Sequence, residues 1–281
     1  MDPFTFSVVL FSAFAHAIMN CALKRQPDPL AATLLLAICG GMAATPVLMA
    51  TGAPSLSAAP FLIASVLIHV FYWTYLGRAY DTGEVSVVFP LARGVAPVLT
   101  LIIAATLIGE PVTMAGLAFV ALIVAGIFLV LCSGKDVKLL LRHRSIANAL
   151  IVAVSISLYT VVDGVGSRRA GSAASYVVML YACNGWVLLG YGLARQRERL
   201  MKAVVGGWRV GLMTGAASLA IYGAALWAMG RAPIPLVAAL RETSVMFAAV
   251  LAVLWLREPL RPGRMIGAGV IVAGVAFVKM T

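Results

Sequence analysis

The 281-residue chain is 62% hydrophobic and only 11% charged, with a mean hydropathy of +1.02. A soluble domain carries about a quarter charged residues, so this composition excludes an ordinary soluble fold. The net charge of +11 resides mainly in short connections between apolar stretches, the pattern that orients a membrane protein rather than the patch that binds nucleic acid. No nucleic-acid partner is therefore expected.

A helix that crosses the bilayer needs about 20 largely apolar residues. Ten such stretches occur, at about 4–24, 30–50, 57–79, 85–107, 112–132, 146–166, 173–194, 208–230, 234–256 and 263–280. Lipid forbids open strands with unpaired backbone groups, so the expectation is an all-α integral membrane protein. Within the first stretch Ala15-His16-Ala17 has the small-residue look of a cleavage site. No basic segment precedes it, so the stretch is read as a retained span. Turn residues mark the connections: Gln26-Pro27-Asp28-Pro29, Thr51-Gly52-Ala53-Pro54, Asp81-Thr82-Gly83, Gly109-Glu110-Pro111 and Arg231-Ala232-Pro233. Cys21, Cys39, Cys132 and Cys183 lie apart without metal-ligand spacing. They imply no disulfide scaffold, metal site or cofactor.

One unit appears twice. Arg93–Gly126 returns as Arg241–Gly274, and a constant offset carries Arg93 to Arg241, Glu110-Pro111 to Glu258-Pro259 and Ala125-Gly126 to Ala273-Gly274. Residues 1–134 and 145–281 therefore form two homologous halves of five spans each. Five is odd, so the second half inserts upside down. Inverted halves of this kind bind substrate near the bilayer midplane and alternate access around it. Fifteen lysines and arginines fall in the odd-numbered connections, against four in the even-numbered connections and the tails. The expected orientation has the odd connections in the cytoplasm and both termini on the other side.

Polar groups inside spans are costly and are candidates for function. Ser12, His16, Asn20 and Lys24 form one stripe on the first span; Ser155, Tyr159, Asp163 and Ser167 form its counterpart on the sixth. His16, Asn20, Tyr159 and Asp163 are expected to line a cavity, with Ser12 and Ser155 packing. Arg93 and Arg241 each lie about 12 Å into a span, near Pro90 and Pro97 in one case and Pro233 and Pro235 in the other. Either the two guanidinium groups clamp an oxyanion, or acidic neighbours neutralise them, Glu242 beside Arg241 and Asp163 across the cavity. Asp163 and Glu242 are the proton-coupling candidates. Tyr181 and Asn184 share a face of the seventh span, and Tyr222 and Trp73 are further site candidates. His69 is read as packing or ligand. Trp186 and Trp255 are read as marking the lipid interface.

The Glu-Pro corners read as scaffold. Pro111 and Pro259 suit the first turn of a following helix, and Glu110 and Glu258 then favour its dipole. Gly40-Gly41, Gly126, Gly267, Gly269 and Gly274 read as close-packing positions, and Gly263 and Gly267 have the small-xxx-small spacing of an internal or dimer face.

Ten spans, two five-helix halves and a Glu-Pro corner in each half resemble the EamA-type members of the drug/metabolite transporter superfamily. The likeness runs over essentially the whole chain. The first-span pattern AFAHAIMNCALKR is similar to a subgroup that accompanies phosphonate-use genes, with Met19 where that pattern has an aromatic residue. The resemblance implies a secondary transporter with a central cavity lined by the first, third, fourth, sixth, eighth and ninth spans. Leu180-Tyr181-Ala182-Cys183-Asn184 echoes a motif of relatives that carry nucleotide sugars. Arg241 sits where relatives that carry organic phosphates use basic residues. The expected function is export of small polar metabolites, amino acids or related organic anions that include phosphonate- or phosphate-bearing ones. The expected setting is the cell inner membrane, as a monomer or weak homodimer. A passive channel, a lipid scramblase and proton-coupled drug efflux are the alternatives. The first span lacks the acidic residue that small multidrug exporters use. No HExxH, paired intramembrane Asp or Cys/His cluster suggests an enzyme.

Overall fold

A computed structural model of the chain describes residues 1–81, 85–132, 143–254 and 262–280. Helix α1 (Pro3–Lys24) starts where Asp2 accepts the Thr5 backbone N–H at 2.9 Å, with proline in the first turn. Helix α2 (Pro29–Thr51) repeats the device, Asp28 accepting from Ala31 at 3.1 Å. Both caps satisfy donors that a helix start leaves unpaired. After a short 3-10 turn come α3 (Ala59–Asp81) and α4 (Val85–Ile103). Helix α4 widens into a π turn at Ala104–Ile108 and stops at Gly109, whose φ of 71° suits glycine. Then follow α5 (Met114–Cys132), α6 (His143–Arg169), α7 (Ala173–Arg195), α8 (Arg197–Met229), α9 (Ile234–Arg241), α10 (Ser244–Leu254) and α11 (Pro262–Met280).

Among the described residues, nine helical stretches are long and apolar enough to cross a membrane, with Ile234–Leu254 taken as one, and Pro262–Phe277 is a shorter apolar helix. The ten expected spans are thus present, and the ninth is broken. Between α9 and α10 the hydrogen bonding tightens: Glu242 N–H donates to Ala239 and Thr243 N–H to Leu240. The Thr243 hydroxyl also donates to the Leu240 carbonyl at 2.7 Å. A short 3-10 stretch inside a helix is a common site of bending, and interrupted helices are tolerated at membrane depth where protein satisfies the backbone.

The packing obeys the two-fold relation of the halves. Helix α4 packs on α6 as α10 packs on α1, α3 on α6 as α8 on α1, and α2 on α8 as α7 on α3. The α2–α7 and α5–α11 pairs relate to themselves. This is the arrangement of an inverted five-plus-five repeat. Glycine makes the two self-related contacts. A Cβ on Gly41 would sit 2.4 Å from the Gly185 Cα, and one on Gly126 would sit 2.7 Å from the Gly267 carbonyl oxygen. Without side chains the backbones touch, which is how membrane helices gain packing energy.

Several expectations are corrected. Helix α5 begins at Met114, after the Thr113 hydroxyl accepts the Gly116 N–H at 3.0 Å. Thr113 is therefore the cap, and Pro111 lies before the helix rather than in its first turn. Gly269 faces open space instead of a neighbouring helix. Helix α8 starts well before the expected residue 208; Gly207 is non-helical (φ −148°, ψ 16°), and the charged piece at 197–206 precedes the span. Trp186 lies past the middle of α7, half exposed, with its indole N–H 3.3 Å from the Thr45 hydroxyl, rather than at a span end. Trp255, Glu258 and Pro259 lie outside the described residues.

If the glycine contact sets the α2–α7 distance, Gly41→Leu should destabilise the protein by about 1–3 kcal/mol, as overpacking does. Gly190→Leu, on the same α7 but facing open space, should be near neutral. Thermal unfolding of the two variants in detergent checks the difference.

Candidate substrate site

The break in the ninth span delivers charge to the seam between the halves. Arg93 lies on α4 and Glu242 at the break. Arg93 Nε donates to Glu242 Oε2 at 2.7 Å, and both side chains are largely buried. Arg93 Nη2 donates to the Ser244 hydroxyl at 3.1 Å, and Nη1 lies 3.1 Å from His16 Nε2. A guanidinium only donates, so this imidazole nitrogen accepts. One arginine thus ties α1, α4 and the start of α10 together. Pro97, one turn further along α4, has no N–H for the Arg93 carbonyl and weakens the helix at that point.

A second group centres on α6. Asp163 is fully buried. Its Oδ1 accepts from the Tyr176 hydroxyl at 2.9 Å and its Oδ2 from the Tyr222 hydroxyl at 2.6 Å. The Arg241 guanidinium lies over the Tyr222 ring, 5.1 Å from its centroid, within cation–π range. Tyr222 therefore faces a cation with its ring and an acid with its hydroxyl. Tyr181 stands beside it, ring centroids 6.2 Å apart, held by donation to the Ser218 carbonyl at 3.0 Å. Tyr159 stacks on His69 with centroids 4.5 Å apart and meets the Tyr72 edge at 6.0 Å. His69 Nδ1 donates to its own helix at the Ser65 carbonyl, 2.8 Å away.

Arg241 differs from Arg93. Among the described residues it makes no ion pair and no hydrogen bond, and its guanidinium lies over the Tyr222 ring. The acid next to it in sequence, Glu242, serves Arg93 instead. The expected choice between a double arginine clamp and neutralisation resolves unequally: Arg93 is paired, whereas Arg241 stacks on an aromatic ring. Asp163 reaches Arg241 only through Tyr222.

The other expected residues divide. His16, Tyr159, Asp163, Tyr181 and Tyr222 join the two groups described. Asn20 is half-buried on α1 and makes no hydrogen bond into them among the described residues. Asn184 is half-buried, with its Oδ1 buried and unpartnered. Trp73 packs with a cluster around Leu34, Ile38, Leu188 and Leu200 rather than on Tyr159. Ser12 and Ser155 donate to their own helices at Val9 and Ile151, as packing residues do. Tyr72, Tyr176, Ser218 and Ser244 join these groups without being among the residues expected from sequence. Tyr72 follows His69 by three residues and so shares its helix face, a usable signal. Tyr176 and Ser244 had none, because their roles depend on partners in other spans.

A family model described as the EamA-like transporter family matches residues 2–132 and again 143–280. The chain belongs to that family. No curated protein matches it at a significant level. Of the solved structures, 27 chains match. One, titled only as the crystal structure of a protein, has a TM-score of 0.70 and 17% identity over 99% of this chain and 96% of that one. That likeness concerns the fold. An EamA-like protein is a membrane transporter of the drug/metabolite superfamily, and the site above lies where its two repeats meet.

The Arg93–Glu242 pair gives a stability test on this EamA-like protein. Removing one partner of a buried pair leaves an uncompensated charge and costs about 3–5 kcal/mol. Glu242→Gln should therefore lower the melting temperature more than the double variant Arg93→Met/Glu242→Leu does. A double-mutant cycle by thermal unfolding measures the coupling.

Proposed function

We propose that this protein is a secondary active transporter of small organic anions, amino acids and phosphonate- or phosphate-bearing metabolites among them, working by alternating access around Arg241. One observation carries the reading: Arg241 stands at the end of a broken helix with no ion pair among the described residues, over the ring of Tyr222, which Tyr181 flanks. A guanidinium so placed offers its donors to a carboxylate, phosphonate or phosphate. Arg93 then acts through Glu242, His16 and Ser244 to hold the break in shape. Asn184, whose buried Oδ1 has no hydrogen-bond partner among the described residues, is suited to accept from a substrate ammonium group rather than to meet its oxyanion.

Asp163 is the better proton carrier of the two acids, since Glu242 is engaged by Arg93. With all four groups ionised, Arg93, Arg241, Asp163 and Glu242 sum to zero charge. A proton on Asp163 leaves the group with a net positive charge, which an anion on Arg241 balances. Proton and anion binding then favour each other, and by linkage the coupling is reciprocal. An inward proton gradient on its own would drive uptake. Export, the direction expected from the sequence, follows when the outward solute gradient is the larger. The proposed location is the cell inner membrane, with the connection after α1 in the cytoplasm and both termini outside, from the lysine and arginine asymmetry.

Counterflow in proteoliposomes loaded with L-glutamate, aminoethylphosphonate or glycerol phosphate tests the reading. A carrier accelerates entry of labelled solute when the same solute is present on the far side; passive flux without such acceleration would reject it in favour of a channel. Arg241→Ala should abolish counterflow and Arg241→Lys should keep part of it. Asp163→Asn, which mimics the protonated acid, should retain counterflow but lose the stimulation produced by acidifying the solute-containing side.

A further inference from the structure

One end of the molecule is cross-linked by bonds between the two halves. All of them lie in the even-numbered connections, the end that also holds the N-terminus. Glu110, from the corner between α4 and α5, is buried. Its Oε1 accepts from Arg168 Nη1 at the end of α6, at 2.5 Å. Its Oε2 accepts the Ile234 backbone N–H at 3.1 Å, at the first residue of α9. Arg168 goes on to donate to the Met229 carbonyl at 2.7 Å and the Ala232 carbonyl at 3.1 Å. Beside this knot the Ser55 N–H donates to the Ala170 carbonyl at 3.2 Å, and the Ser57 hydroxyl to the Arg169 carbonyl at 2.8 Å. Glu110, Ser55 and Ser57 belong to the first half; every partner belongs to the second. The expected role of the Glu-Pro corner, to start its own next helix, is thus replaced by a link to the other repeat.

We infer that Glu110 is a gating residue, and that its bonds to Arg168 and to the head of α9 hold this end closed during the transport cycle. The inference rests on the carrier reading above and assigns the control of that same site. Alternating access requires the halves to part at each end in turn, and here they can part only if Glu110 releases its partners. The knot is also wired to the substrate groups. Helix α9 is eight residues long, about 12 Å at 1.5 Å per residue, with Glu110 at its head and Arg241 at its foot. Helix α6 carries Arg168 at one end and Asp163 and Tyr159 within. A shift of either helix on substrate binding is therefore felt at Glu110. Glu110 places one oxygen on each of the two helices that carry Arg241 and Asp163.

Side-specific labelling tests this without any solute, so a failed counterflow experiment and a failed gate are distinguishable. Cys21, Cys39, Cys132 and Cys183 are replaced by serine or alanine, and Ser218→Cys places a reporter next to Tyr181. An impermeant maleimide is applied to each face of oriented vesicles. Glu110→Gln should raise the labelling rate from the N-terminal face by about tenfold, the effect of losing one charge-assisted bond. Glu110→Asp should give an intermediate rate. A disulfide between Ser55→Cys and Ala170→Cys should suppress labelling of the Ser218→Cys thiol itself from that face, read by mapping the modified peptide, and reduction should restore it at that position. Unchanged rates in Glu110→Gln with a lowered melting temperature would reduce Glu110 to scaffold and overturn the proposal. Should Glu110→Gln fail to fold, the disulfide decides alone: equal labelling from that face in oxidised and reduced protein overturns the gate.

Discussion

Arg93 and Glu242 meet across the seam of the two repeats, and much of the central structure depends on that meeting. A charge in the bilayer interior is expensive unless another group compensates it. Here the compensation comes from the opposite half, so neither half satisfies its own charge alone. Glu242 can reach Arg93 because the ninth span breaks beside it. The break needs Thr243 to cover a carbonyl and Ser244 to accept a hydrogen bond from the guanidinium. Ion pair and helix interruption are thus one feature: straightening the helix would turn the acid away, and removing the acid would leave the arginine unmatched.

The same economy explains why glycine sits where it does. Membrane helices gain little from the hydrophobic effect between themselves, so close backbone contact supplies their association. Gly41 on Gly185 and Gly126 on Gly267 lie at the contacts that relate to themselves under the pseudo-two-fold relation. These are the contacts across which the halves face each other directly. Polar links then decorate a frame set by small residues, dense at the Glu110 end. At the opposite end a described ion pair joins Asp28 to Arg199 at 2.9 Å.

The fold was legible from the sequence because its causes are local or repetitive. Span length, turn residues and the offset between Arg93–Gly126 and Arg241–Gly274 can all be read along the chain. The site was legible only in part. His16, Tyr159 and Asp163 could be found because a charged or polar residue in an apolar span is conspicuous. What each one touches could not. Tyr176 is an ordinary aromatic residue until α7 folds beside α6, and Glu110 looked like part of a turn until α9 arrived at its oxygen. Tyr72 and Trp73 adjoin in the chain, but one step along a helix turns a side chain by about 100°, and only the neighbouring spans show that Tyr72 meets Tyr159 while Trp73 joins the cluster around Leu34 and Leu200. The π turn and the kink at Gly207 likewise moved helix boundaries without altering the order of spans.

The asymmetry between the two arginines was nevertheless written in the sequence. The repeat carries Arg93 onto Arg241, but the next position is Gly94 in one copy and Glu242 in the other. Gly94 is buried, and a Cβ there would already crowd Ile127 at 3.3 Å. The first copy therefore supplies no acid in return, and a side chain there would press on Ile127 and Phe128. An acid at both positions would have allowed each arginine an ion pair with the opposite copy. With one acid for two arginines at the seam, Glu242 can satisfy only one, and geometry sends it to Arg93. Arg241 is left on the face of Tyr222, a partner that steadies a cation without consuming its hydrogen bonds. The copies part company directly after the arginine, Gly94-Val95-Ala96 against Glu242-Thr243-Ser244, and these substitutions supply both the acid and the hydroxyl groups of the break.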